Sequence, residues 1–290
     1  MFIYRSRNFS TTSGKGLPRG RAASYKIAKA ILYFGFRFNL RSDKKKNMNT
    51  PETLKKNPGL LWPELIPGIL VKRYKRFMAD VQLDNGKVVT AHCPNSGSMQ
   101  ACCRPGRPVY LSYHDNPKRK LKYTWEIIAM PASLVGINTQ VPNRLVSKTI
   151  KAGGVQELNG YDHMAREVKV SSSSRLDIML SRGEKDRCYI EIKNCTLVEE
   201  GVALFPDAVT LRGRKHLLEL QELTASGFRC VMFYLVQRMD ARVFKPADHI
   251  DPAYGEELRR AAENGIEILV YDVHIDLETI MLNRKIPYKL

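Results

Sequence analysis

Apolar and polar positions alternate differently in the two halves of the chain. From Leu60 to about Ile128, apolar residues recur every second position in short runs: GILVKRYKRFMADVQL, KVVTAHC, RPVYLSY and LKYTWEIIA. A period of two sends successive side chains to opposite faces, the signature of β-strands. Asp84-Asn85-Gly86 separates the first two runs and marks a hairpin, because Asn-Gly tolerates the positive φ of a tight turn. Four or five short strands within about 70 residues predict a small closed barrel, of which the OB-fold is a common form.

Val135 to Pro142 reads as a connection, after which the pattern changes. Pro142-Asn143 opens a helix, NRLVSKTIKAGG, that ends at Gly153-Gly154. Strands REVKV, RLDIMLS and CYIEIKN follow, then a helix over about 213–225 and the strand FRCVMFYLVQ. A helix over about 253–264 and the strand IEILVYDV complete the series. A helix, meandering strands, then alternating helix and strand predict an α/β (α+β) domain. The expected organisation is a basic extension over 1–59, a barrel over 60–134 and a mixed-sheet domain over 135–290.

Charge sharpens this division. Of the net +18, residues 1–50 carry 12 Lys/Arg against one acid, and residues 51–130 carry 13 against six. Residues 131–290 hold 22 of each, so the whole surplus lies in the N-terminal half. A basic excess confined to one module suits a phosphate-backbone partner. Two patches concentrate it in the barrel: Lys72, Arg73, Lys75 and Arg76, and Lys118, Arg119 and Lys120. Tyr74, Phe77, Tyr113 and Tyr123 lie among or near them; cations beside aromatic rings suit nucleic-acid strands. Phe77 is expected in the core, with Tyr74 divided between core and contact.

The first 47 residues are rich in Arg, Lys and Ser, with no acid before Asp43. They read either as an organellar transit peptide or as a translated stretch upstream of a start at Met48. Localisation is therefore cytoplasmic, or organellar if the transit reading holds. No run approaches the roughly 18–20 apolar residues of a membrane span, so no membrane partner is expected. Six cysteines without a CxxC pair, and no secretory apolar region, predict free thiols in a reducing compartment. A zinc site from His92, Cys93, Cys102 and Cys103 matches no standard ligand spacing. No motif indicates a small-molecule cofactor or an oligomeric state.

The chemistry concentrates in SSSSRLD and CYIEIKN. As a hairpin turning over Ser181 to Asp186 and centred near Glu184, these strands place Asp177 opposite Glu191 and Arg175 opposite Lys193. Leu176, Ile178 and Leu180 then share an apolar face with Cys188, Ile190 and Ile192, and a one-residue slip would bury the charges. Two opposed carboxylates repel unless a cation lies between them. Mg²⁺ (or Mn²⁺) meets that need, with Asp177, Glu191 and the Ile192 carbonyl as its oxygen ligands. Lys193, on the same face, is placed to orient or deprotonate a water or to neutralise charge on phosphorus. Asp177, Glu191 and Lys193 are the candidate catalytic set; alternatively, they form a solvated ion pair.

Longer stretches carry a resemblance. VKRYKRFMADV, AHCPNSGSM, DNPKRKLKYTWE, NRLV, SSSSRLD, YIEIKNCTLVEEGVALFPDAVTLRGRKHL and VQRMDARVFKPAD resemble the sugar fermentation stimulation protein A family from about Leu61 to Pro287. The resemblance implies an N-terminal OB-fold that binds DNA, a C-terminal domain like PD-(D/E)xK nucleases, and a regulatory role in maltose metabolism. It puts the nuclease motif on Asp177, Glu191 and Lys193. One departure stands out: many nucleases of this fold add a Glu from the first helix, and NRLVSKTIKAGG has no acid. Glu167 or water is left to fill that position.

PDAVTLRGRKHLLEL adds a cationic cluster, Arg212, Arg214, Lys215 and His216, at a helix start. Cations there oppose the helix dipole, a conflict that a bound phosphate relieves. Gln237 and Arg238 end a strand near the expected site opening. Two activities stay open: largely sequence-nonspecific DNA binding without turnover, and Mg²⁺-dependent cleavage. A sugar-responsive factor is the third, without a recognisable sugar pocket.

Overall fold

In the computed structural model, residues 58–171 and 174–290 are described. The basic extension expected over 1–59 falls, up to residue 57, outside the described residues. Barrel and sheet both belong to one compact unit.

The N-terminal strands are β1 (Leu60–Leu61), β2 (Leu65–Tyr74), β3 (Met78–Leu83), β4 (Val88–His92), β5 (Pro108–Tyr113), β6 (Tyr123–Ala129) and β7 (Leu134–Gly136). Six of them run in the order β4-β3-β2-β5-β6-β7. A parallel pairing of β4 with β6, Ala91 with Tyr123 and His92 with Thr124, closes β2 to β6 into a five-strand barrel. Period-two alternation fills it with Leu70, Val81, Ala91, Val109, Leu111 and Trp125, all buried. The Asp84-Asn85-Gly86 turn joins β3 to β4, with Gly86 at φ 82. The first predicted run divides in two: Lys75 and Arg76, at φ 49 and 62, turn β2 back into β3. Neither is Gly or Asn, so the usual turn signal is missing.

The second layer begins with α1 (Val141–Lys151), β8 (His163–Ser171), β9 (Ser174–Arg182) and β10 (Asp186–Cys195). It continues with β11 (Leu197–Glu199), β12 (Val202–Phe205), α2 (Leu211–Ala225), β13 (Arg229–Val236) and β14 (Val243–Pro246). It ends with α3 (Pro252–Glu263), β15 (Glu267–Ile275) and β16 (Thr279–Lys285). A seven-stranded mixed sheet has the order β1-β16-β15-β13-β10-β9-β8, with β10, β13 and β15 parallel. The α1 face buries Ile178, Ile190, Ile192 and Phe233 against Leu145 and Ile150, with Ile127 of β6 and Leu134 of β7. The opposite face buries Tyr189, Met232, Tyr234 and Val270 against Leu217 of α2 and Leu258 of α3. The short strands β11, β12 and β14 form a separate sheet that the sequence pattern did not indicate.

The β9–β10 hairpin has the expected register, Cys188 with Leu180 and Ile190 with Ile178. The predicted shared face fails at one residue. Leu176 packs in the α2-side cluster, whereas Ile178 and Leu180 pack on the α1 side. The ladder ends at Ile190 and Ile178, because the Asp177 carboxylate, not a β9 carbonyl, accepts the Ile192 N–H at 2.7 Å. Beyond that point β9 stays in register with β8 but no longer pairs with β10, and Leu176 joins the other core.

Candidate metal centre and nucleic-acid interface

The sheet alternation sends Glu191 and Lys193 of β10 toward α2, where they meet His216. Lys193 Nζ donates to Glu191 Oε1 at 2.7 Å and lies 3.1 Å from His216 Nδ1. His216 Nδ1 also makes a short hydrogen bond to Glu191 Oε1. Arg212 Nε approaches His216 Nε2 at 3.5 Å, which favours the tautomer with the proton on Nδ1. Glu191 is 3% exposed and His216 4%, so the group is a buried cluster rather than a solvated surface ion pair. Burial pushes the Glu191 carboxyl upward, but Lys193 and then His216 outweigh it and hold the acid below its usual range.

Asp177 enters from β9. Its Oδ2 accepts from Ile192 N, and its Oδ1 accepts from Asn143 Nδ2 at 2.6 Å. Asn143 lies in the first turn of α1, so this helix does send a polar side chain to the site, an amide where an acid was sought. Burial first, and then the charge of Glu191, push Asp177 up to about 6. Glu167, the proposed substitute, is exposed at φ 54. No cluster of three or more His, Cys, Asp or Glu with metal-holding geometry occurs among the described residues, so Glu167 does not complete a carboxylate triad. The zinc set of His92, Cys93, Cys102 and Cys103 likewise does not assemble. All six cysteines are free.

One atom tests whether a cation fits. Both donors to Glu191 reach Oε1, while Oε2 is buried without a hydrogen-bond partner. A buried, unpaired carboxylate oxygen is costly, and a divalent ion between it and Asp177 would satisfy it. The N–H and C=O of a strand residue face the same edge, so the Ile192 carbonyl lies on the Asp177 side with its amide. The donor set is all oxygen, which suits Mg²⁺, Mn²⁺ or Ca²⁺.

Family models match both halves. The SfsA N-terminal OB domain matches residues 71–137, and the sugar fermentation stimulation protein RE domain matches residues 140–279. The chain belongs to the sugar fermentation stimulation protein family. A homologue from Geotalea daltonii is 52% identical over 227 residues, 78% of this chain and 98% of the relative. One from Geobacter metallireducens is 53% identical over 224 residues, 77% of this chain and 96% of the relative. Among solved structures, Pyrococcus furiosus SfsA in complex with Ca²⁺ is 26% identical, with a TM-score of 0.73 over 80% of this chain and 98% of that one.

The cations expected at a nucleic-acid interface of this family member divide. Lys72, Lys75, Arg76, Lys118 and Lys120 are exposed on the barrel. Lys72 lies over the Tyr74 ring at 5.2 Å and 3.7 Å from Asp80. Arg73 departs from expectation: its guanidinium donates to the carbonyls of Arg76, Ser98, Asn95 and Gly97 and clamps the 95–98 loop. Phe77, expected in the core, is 49% exposed because it lies in the turn joining β2 to β3. Tyr74 is half-buried and donates to Asp80, while Tyr113 is 44% exposed against Tyr123 and Lys122. Arg119 is half-buried and donates to Thr124 Oγ1 at 2.8 Å.

Within α2, Arg212 and Lys215 are exposed and Arg214 is half-buried with its Nε unpaired. The helix start is capped internally, since Thr210 Oγ1 accepts from Gly213 N. Asp207 reaches back to the barrel and accepts from Met99 N at 3.0 Å. A cavity of about 600 Å³ runs between the 95–98 loop and β10, lined by Arg73, Arg76, Asn194 and Thr210. Gln237 and Arg238 are braces: Gln237 Nε2 donates to Asn138 O and Asn194 Oδ1, and Arg238 pairs with Asp240 and Thr196 O.

Proposed function

We propose that this protein binds DNA with little sequence preference and holds one divalent metal ion at a phosphodiesterase-type centre. The observation that carries the metal reading is Glu191 Oε2, buried and unpartnered beside an Asp177 whose ionisation burial disfavours. Asp177, Glu191 and the Ile192 carbonyl would hold the ion. A divalent ion there supplies Lewis-acid polarisation of a phosphate and an activated water.

The chain's own side chains do the rest. His216 and Lys193 saturate Glu191 Oε1 and so leave Oε2 as its ligand atom. Asn143 fixes the rotation of the Asp177 carboxylate through Oδ1. Lys193 places a cation beside the two acids, where it would offset charge that develops on a phosphate. The Ca²⁺ held by the Pyrococcus furiosus relative supports a divalent ion in this fold.

The DNA reading rests on the exposed cations Lys72, Lys75, Arg76, Lys118 and Lys120 beside Phe77 and Tyr113, which supply charge and stacking surfaces without base-specific geometry. The maltose regulation implied by the family resemblance would act through this same grip on DNA.

Calorimetric titration with Ca²⁺, Mg²⁺ and Mn²⁺ tests the centre directly. One ion should bind the wild type and none should bind Asp177→Ala or Glu191→Gln; equal binding by all three proteins would remove the site. Incubation of single-stranded, duplex and branched DNA with Mg²⁺ or Mn²⁺ tests turnover. Intact substrates throughout would leave a metal-holding DNA-binding protein, and cleavage abolished by EDTA and by Asp177→Ala would make it a nuclease.

A further inference from the structure

A second cavity, of about 570 Å³, lies between the β6 edge of the barrel and the first turn of α1. That volume is typical of a small-molecule site. Arg119, Arg144, His92, His114, Glu126 and Trp62 give it its chemistry. Arg119 is steered by its bond to Thr124 Oγ1. The Arg144 guanidinium has no hydrogen bond or ion pair among the described residues. Glu126 is the one carboxylate on the wall, 5% exposed, and both of its oxygens are occupied. Ser112 Oγ donates to Oε1 at 2.7 Å and Asn138 Nδ2 to Oε2 at 2.9 Å. Ser112 Oγ also lies 3.0 Å from His114 Nε2. Burial, then the Arg119 charge, lower the His92 imidazole against an opposing pull from Glu126, so these three groups sense one another across the cavity.

Two guanidinium groups therefore share a cavity whose one acid among the described lining residues, Glu126, is hydrogen-bonded to Ser112 and Asn138 and ion-paired with neither arginine, which leaves the charged pair in excess. We propose that this cavity binds the terminal phosphate of a nucleic-acid strand, a phosphate monoester held between Arg119 and Arg144 with its nucleoside against Trp62. A monoester carries nearly two negative charges and matches two guanidiniums better than a singly charged diester does. Trp62 is half-buried and its Nε1 is fixed to Asp276 O at 3.0 Å, so its ring is a preset stacking surface. Exposed Lys118 and Lys120 flank Arg119 and draw an anion toward it.

The first turn of α1 ties this cavity to the candidate metal centre, because Arg144 follows Asn143, which holds Asp177. Asn138, on the cavity wall, is bonded through Gln237 to Asn194, next to Lys193. A strand whose end is seated here would start beside the metal centre. The assignment of the ligand to a strand rests on the DNA reading above; the phosphate site itself does not.

Fluorescence anisotropy of the full chain, in low salt with EDTA, tests the assignment independently of any metal. The probes are one labelled oligonucleotide with a 5′-phosphate, a 3′-phosphate or hydroxyls at both ends. Adenosine monophosphate and inorganic phosphate serve as competitors, with Trp fluorescence reporting their direct binding. One phosphorylated end should bind about tenfold tighter than the hydroxyl-ended strand, the effect of one charge-assisted contact. That preference should vanish in Arg144→Gln and Arg119→Gln and persist in Lys151→Gln. Thermal melts verify folding, and Arg144→Gln breaks no bond within the described residues. Binding of the small phosphates without any end preference would overturn the strand assignment. No end preference together with no phosphate binding would overturn the site. Failure of the hydroxyl-ended strand to bind at all would count against the DNA reading alone.

Discussion

Asp177 sits where its own negative charge is disfavoured, and replacing it with the neutral isostere should expose this. Its folded carboxyl titrates at about 6 against 3.8 for the free side chain, because burial and then Glu191 oppose ionisation. In the metal-free protein this acid therefore leaves stability intact below about pH 4. It withdraws stability as pH rises from about 4 to 6, where the unfolded chain ionises more readily. Two pH units correspond to about 3 kcal/mol. Asp177→Asn escapes that penalty but keeps only one acceptor oxygen, so either Ile192 N or Asn143 Nδ2 loses its partner at roughly 1 kcal/mol or more. The net expectation is about 1–2 kcal/mol of added stability above pH 7 in EDTA, roughly 2–8 °C in melting temperature. Near pH 4 the variant should be equal or less stable. Saturating Ca²⁺ should reverse the order at pH 8, since only the wild type gains from an ion. Melts at pH 4 and 8, with and without EDTA, give the answer. An Asp177→Asn protein that melts below the wild type in EDTA at pH 8 would refute the argument that this carboxylate is held against its own charge.

Other positions give sharper local tests. His216→Ala removes one of two donors to Glu191 Oε1, and metal affinity should fall by about 10–100-fold, as for the loss of an outer partner of a ligand, read by calorimetry. Arg73→Ala leaves four loop carbonyls without their donor and should lower stability by about 2–4 kcal/mol in urea unfolding. The exposed triple Lys72→Ala, Lys75→Ala and Arg76→Ala should instead fold normally and flatten the salt dependence of DNA affinity, by about 0.9 in log–log slope per lost duplex phosphate contact. Gly97→Ala should loosen the barrel loop from Asp207, because an added Cβ would lie 2.5 Å from that carboxylate; a lower melting temperature with unchanged metal binding would show it.

How far the sequence could be read depended on whether a residue's partner lay nearby. The Asp177 hairpin was legible because alternation and a short turn fix its register without information from elsewhere. Asn143 was missed because the first helix was searched for an acid, although an amide in that turn was visible in NRLV and can hold a carboxylate as a donor. His216 stands 25 positions from Glu191, and nothing local distinguishes it from a surface histidine. Arg73 looked like its neighbours in KRYKR, because three of the four carbonyls that claim it belong to a loop more than twenty residues on. Phe77 misled for a related reason: a turn built on Lys75 and Arg76 at positive φ carries no Gly, Asn or Pro to announce it.

The break in the β9–β10 ladder gives the positions of Asp177, Asn143 and Leu176 one cause. A strand pair that continued past Ile190 would give the Ile192 amide a backbone partner and leave Asp177 projecting from one face. Instead the Asp177 carboxylate supplies that partner, and β9 turns away, carrying Leu176 to the other core. The turn brings Asp177 within reach of Asn143 from one side of the sheet and of the Glu191 charge from the other. The acid that ends the pairing is thus held by two donors at the gap it creates, beside the edge where the Ile192 carbonyl lies. Any substitution that restores regular pairing at this point, such as Asp177→Val, should gain strand propensity and lose the oxygen cluster together. On this reading the irregularity is the site, and a straighter β9 would be a more regular sheet with nowhere to put a cation.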